Sequence, residues 1–142
     1  MQYSDTKNGF MIRFSKGEEI ASSIASFCAA HNVTSGYFQA IGAVTEVELG
    51  YYHLEKKEYT FKQFEQEFEV VSLTGNVSLV EGKPFVHMHG VFSDEHFQCT
   101  GGHVKNGIVG ATCEVYFVPF ETELIREFDE EIGLKLLHCP LQ

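Results

Sequence analysis

Apolar and polar residues change their rhythm once along this chain. Between Ile20 and His31 the apolar or ring-bearing positions (Ile20, Ile24, Phe27, Cys28, His31) recur at steps of three and four, which places them on one face of a helix. Ser15-Lys16-Gly17-Glu18, just before them, has the Ser-x-x-Glu spacing of a capping box. The pattern therefore predicts a helix over about 16–31, stopping near Asn32, with a short strand at 10–14 ahead of it. From Tyr37 onward the chain is rich in Val, Ile, Phe, Tyr and Thr, punctuated by glycines, and predicts strands at 37–41, 43–54, 59–64, 68–80, 85–92 and 108–118. Lys105-Asn106-Gly107 reads as a hairpin turn, because Asn-Gly tolerates the positive φ of a type I′ turn. The tail supports two patterns. Leu124, Ile125, Phe128 and Ile132 suit a helix face, whereas Glu123-x-Ile125-x-Glu127 alternates like a strand. The sum is an α+β fold, β-rich, with one early helix packed on the sheet.

No repeat, low-complexity tract or flexible linker divides the 142 residues, so a single domain over 1–142 is expected. Thirteen Phe and six Tyr supply bulk for a core, and exclude a disordered or fibrous chain. Ten basic against twenty acidic residues leave a formal charge of −10, an overall field that repels nucleic-acid phosphates and anionic lipid. No apolar run approaches the roughly 20 residues of a membrane span. Residues 1–9 are polar where a signal peptide would be apolar, so a cytoplasmic protein is expected. The four cysteines are scattered without a CxxC pair, as expected of free thiols in a reducing compartment, with Cys28 and Cys113 serving as small core residues.

Chemistry concentrates in Pro84-Phe85-Val86-His87-Met88-His89-Gly90 and in Gly101-Gly102-His103. On a strand, His87 and His89 point the same way, about 6.5–7 Å apart, and can converge on one metal ion. His103 follows at the distance of a strand, a turn and the start of a return strand, with glycines before it that permit close strand approach. Three neutral imidazoles suit zinc, and also nickel, cobalt, iron or manganese. Cys99 is positioned as a fourth ligand or as a packing residue, and the remaining histidines (31, 53, 96, 138) have no partner pattern. Three protein ligands leave zinc an open fourth position, as catalytic sites do. Glu69, an acid inside the apolar run Phe68-Glu69-Val70-Val71-Ser72-Leu73, is the candidate catalytic base, with a simple exposed edge position as its other reading. A His87-x-His89 pair followed by Glu95 and a later His also echoes a cupin-like metal enzyme. No nucleophile elbow, phosphate-binding loop or dinucleotide fingerprint is present.

Phe68-Glu69-Val70-Val71-Ser72-Leu73-Thr74-Gly75-Asn76, His87-Met88-His89 and Gly101-Gly102-His103-Val104 together resemble the plants-and-prokaryotes-conserved (PPC) domain family in its stand-alone prokaryotic form. Ala40-Ile41-Gly42-Ala43-Val44 is similar to the family's earlier strand junction, and Asp129 with Gly133-Leu134 to its closing segment. The resemblance implies a curved, largely antiparallel β-sheet flanked by a helix, a homotrimer, and a metal, commonly zinc, on His87, His89 and His103. It also implies a second class of function, a non-enzymatic regulatory module acting through DNA or other proteins, as in plant members. This chain has no Arg-Gly-Arg-Pro AT-hook, and Gln66-Glu67 stands where plant members carry Gly-Arg before Phe-Glu. With a charge of −10, the isolated chain is expected not to bind DNA tightly. A metal-dependent enzyme or small-ligand binder is the leading expectation.

Overall fold

The computed structural model describes residues 1–139; residues 140–142 of the expected domain lie outside them. Alternating apolar and polar residues form strands β2 (Gly9–Ser15), β3 (Gly36–His53), β4 (Glu58–Phe64), β5 (Phe68–Val80), β6 (Lys83–Ser93) and β7 (Cys99–Pro119). Strand β1 (Gln2–Thr6) has no apolar alternation and is exposed throughout; it forms because it pairs with β2 in a tight hairpin closed by Thr6 and Gly9. In the tail the strand pattern prevails, giving β8 (Ile125–Asp129) and β9 (Leu134–His138).

The pairings are antiparallel except that between β8 and β5, which is parallel at Leu79 and Ile125. Strands β3, β5, β6 and β7 each pair with two others of that set, so the curved sheet closes into a barrel. One edge of β7 follows β3 for nearly its whole length. Its other edge changes partner, from β6 at residues 99–103 to β2 at residues 112–117. The gap between is filled by the segment leading into helix α1 (Ile20–Ala30). There Gly17 N–H donates to Val109 O at 2.8 Å, Val109 N–H to Glu18 O at 3.0 Å, and Gly107 N–H to the Glu19 carboxylate at 3.3 Å.

Two expectations are corrected by that segment. Lys105-Asn106-Gly107 is not a turn: Asn106 and Gly107 stay extended opposite Glu48 and Val47, and the irregularity appears as bulges in the β3–β7 pairing. The helix begins at Ile20 with Glu19 as its cap, accepting from Ala21 N–H at 3.0 Å and Ser22 N–H at 2.6 Å. The Ser15–Glu18 contact does form, with Ser15 N–H donating to Glu18 at 2.6 Å, but it closes a turn through Gly17, whose φ is +88°. The tight hairpin missed in the sequence joins β5 to β6 at Glu81-Gly82, where φ is +53° and +75°. The two segments expected at 37–41 and 43–54 are one strand, bent at Gly42.

Ile20, Ile24, Phe27 and Cys28 bury the expected helix face against β6 and β7. Phe27 lies edge-on to Phe10 at 5.0 Å and Tyr3 at 5.3 Å, and stacks on His31 at 4.1 Å. That cluster also secures polar β1. Phe27→Ala should destabilise the protein by about 3–5 kcal/mol, because the void opens where helix and sheet meet. Urea unfolding checks this, and a loss under about 1 kcal/mol would contradict the packing role.

Candidate metal centre

Strand pairing assembles the three histidines. His89 on β6 stands directly opposite His103 on β7, and His87 lies two positions back on the same face of β6. Ring centroids are 5.2 Å apart for His87–His89 and 5.4 Å for both other pairs, a nearly equilateral triangle. One nitrogen from each ring lies within 4.8 Å of the other two. The glycines before His103 act as expected: a Cβ at Gly101 would come within 2.4 Å of Gly90 O on β6, and one at Gly102 within 3.0 Å of Gly50 O on β3. Among the described residues, His103 Nδ1 is buried without a hydrogen-bond partner. A buried imidazole nitrogen lacking a partner, in a set of three converging imidazoles, fits a divalent transition metal.

The surroundings disfavour the protonated form of two of these rings, His87 and His103. Burial first, then the Arg126 guanidinium and the other two imidazoles, push His87 down to about 4. Burial and His89 hold His103 below the ordinary imidazole value. Arg126, on β8, reaches His87 Nδ1 at 3.2 Å and is held by Asn76 Oδ1 at 2.9 Å, Ser78 Oγ at 3.0 Å and Lys135 O at 3.1 Å. Tyr59 of β4 forms another wall, its ring 5.0 Å from His103 and stacked 5.1 Å from Phe61. Its hydroxyl is pushed up by burial and by Tyr52, with Arg126 opposing. The turn between β8 and β9 is tied over this side by Tyr52 Oη–H to Ile132 O at 2.6 Å and Lys57 Nζ to Glu130 O at 2.7 Å. Next to the triad, His89, Ser72, Thr74, Gly90, Val91, Gly101 and Gly102 line an open depression of about 280 Å³.

The structure does not bring Glu69 to the histidines. It pairs with Ala43 and Ser93 and lines a separate cavity of about 470 Å³ with Glu67, Asp94 and Glu95. Thr74, which faces His89, is five residues further along β5, roughly 16 Å at the rise of a strand. Cys99 is exposed and lies opposite Ser93, outside the triad. Cys28 and Cys113 are buried and free, their thiols pushed up to about 12 by burial. Arg126 and Tyr59 were not singled out in the sequence. For Arg126 the signal was there: it is one of two arginines, set inside an acidic, alternating segment.

The antiparallel barrel, its early helix and the H-x-H/G-G-H triad place the chain in a class of small β-barrel proteins with a histidine centre. The family model for the Plants and Prokaryotes Conserved (PCC) domain matches residues 1–121, and the chain belongs to that family. Among solved structures, it is similar to the metal-containing protein of Archaeoglobus fulgidus, with 35% identity, a TM-score of 0.85, and 96% of this chain and 98% of that one covered. It is also similar to a plant- and prokaryote-conserved protein of Pyrococcus horikoshii, with 30% identity, a TM-score of 0.87, and coverage of 99% and 97%. A candidate DNA-binding protein of Ralstonia eutropha matches at 29% identity with a TM-score of 0.91 and coverage of 97% and 96%. No functionally curated protein matches the chain. No helix among the described residues is long and apolar enough to cross a membrane.

The depressed His87 has a pH signature. An unfolded imidazole takes up its proton near 6.5, whereas folded His87 resists until about 4, so the unfolded state binds more protons across that window. Stability of the metal-free protein should therefore fall as pH drops from about 6.5 towards about 4. Thermal unfolding in chelator at the two ends of the window should show a smaller loss for His87→Asn than for wild type; equal losses would contradict this.

Proposed function

We propose that the protein is a divalent-metal-binding protein, zinc by preference, that uses the metal to bind and act on a small molecule. The observation that carries the reading is the triangle of imidazoles from His87, His89 and His103, with ligand nitrogens within 4.8 Å of one another. Bound there, the metal would supply a Lewis acid with a coordination position left for a ligand, because the triad contributes three protein donors where a closed structural site takes four. The chain's own residues supply the rest. Burial and Arg126 keep His87 unprotonated, Tyr59 and Arg126 wall the site, and the depression beside His89 gives access. Glu69 stands in a different cavity and is given no part in this chemistry. The four free thiols support a cytoplasmic setting.

A second reading, an interaction module for DNA, draws on the described role of the Ralstonia eutropha neighbour. Twenty acidic against ten basic residues oppose it, since phosphate contacts carry most non-specific affinity. A homotrimer is the assembly we propose. Its support is the outward face of the sheet, where Met11, Ile41, Val71, Val91 and Tyr116 are exposed on neighbouring strands.

Elemental analysis of untagged protein after zinc loading and dialysis should find about one metal per chain, and His87→Ala/His89→Ala should lose most of it. Metal content near zero in wild type, or unchanged in the double variant, would end the proposal. Light scattering at micromolar concentration should give three times the chain mass, and a monomer mass would overturn the trimer.

A further inference from the structure

Arg126 stands out on charge. It is one of two arginines among twenty acidic residues, with Glu123, Glu127 and Asp129 close by in sequence. Yet among the described residues no carboxylate lies within ion-pair distance of its guanidinium. Strand alternation explains this: Ile125 and Glu127 turn to the exposed side while Arg126 turns inward against β5. Its protein partners, Asn76, Ser78 and the Lys135 carbonyl, are neutral, and its guanidinium lies 5.4 Å from the Phe85 ring. These contacts fix the orientation of a half-buried cation and leave its charge uncompensated.

Hydrogen-bond arithmetic links this cation to the triad. A guanidinium has five N–H donors. Nε–H goes to Ser78, one Nη1–H to Lys135 O, and the two Nη2–H groups to Asn76 and to His87 Nδ1. The last bond needs the lone pair of a neutral imidazole at Nδ1. A neutral ring has only one such lone pair. A metal on Nδ1 consumes it, and a metal on Nε2 leaves Nδ1 protonated, a donor facing a donor. On either nitrogen, metal binding ends the Arg126–His87 hydrogen bond. Among the described residues, one N–H on Nη1 and the one released on Nη2 would then have no protein partner.

We propose that Arg126 is a carboxylate receptor coupled to the metal: metal binding at His87 releases its donors, and a small carboxylate-bearing ligand bridges metal and guanidinium. The inference rests on the metal reading above and names the ligand class of that site. A single guanidinium fork matches a planar carboxylate. The coupling is reciprocal, so the same carboxylate tightens metal binding by the factor with which metal tightens carboxylate binding.

Malonate, measured by titration calorimetry, is the probe. Zinc-loaded wild type should bind it at least about tenfold more tightly than chelator-stripped protein. Arg126→Gln should remove about tenfold of the affinity of the zinc-loaded form, and Arg126→Lys should recover part of it. Elemental analysis should still find metal in both variants. Metal present with equal malonate affinity in wild type and Arg126→Gln would overturn the inference alone, whereas no metal in wild type would remove the site reading beneath it. Inorganic phosphate binding as tightly as malonate would overturn the carboxylate assignment. Nitrogen-15 NMR of the wild-type arginine side chains gives a readout without substitution: one guanidinium resonance should shift on adding zinc and again on adding malonate, and no second shift contradicts the bridge.

Discussion

The short pairing of residues 89–93 on β6 with residues 99–103 on β7 joins the two ends of a curved sheet, and the close approach of Gly101 to Gly90 makes that join possible. A side chain at Gly101 would hold the strands apart. With the strands joined, β3, β5, β6 and β7 form a barrel whose interior is filled by Phe38, Leu73, Met88, Phe92 and Phe117. The same join sets His89 against His103, so closure of the fold and assembly of the triad are one event. The triad is thus built on strands from different edges of the sheet rather than on a loop, which gives its side chains little freedom to drift.

Around that join the molecule divides its charge unevenly. Its overall field is negative, yet the histidine centre contains a cation with no acidic partner among the described residues, beside two imidazoles, His87 and His103, whose protonation burial disfavours. Long-range charge acts on encounter and solubility, while contacts of about 3 Å inside a partly dry site decide what is held there. Imidazole nitrogens suit a metal cation, and an unpaired guanidinium suits an anionic group, which is the combination proposed above. The hairpin of β8 and β9 is what delivers the cation, through the parallel contact with β5 and the ties from Tyr52 and Lys57.

Much was legible in the amino-acid order. The 3.6-residue rhythm placed Ile20, Ile24, Phe27 and Cys28 on the buried face of α1, and period-two alternation located β2 to β6 closely. His87 and His89 on one strand face, and glycines ahead of His103, were local facts of spacing. These features are determined by the sequence because they depend on neighbours within a few residues, where backbone geometry alone relates one side chain to the next.

Other features depended on partners far away in the chain. Asn106-Gly107 has the chemistry of a turn, but β3 on one edge and the Glu18–Glu19 segment on the other satisfy the backbone of residues 106–109 in extended form, and long-range pairing overrides the local preference. Gln2–Thr6 has no strand signal of its own and is a strand because β2 and Phe27 await it. Glu69 had two readings, a catalytic base or an exposed edge position, and strand alternation with the β5 register turns it outward into another cavity. Arg126 becomes a site residue only when β8 docks beside β5, nearly 40 positions in sequence from the His87 it touches. Pairing register and barrel closure set these outcomes, because only packing between distant segments decides which face of a strand meets which neighbour.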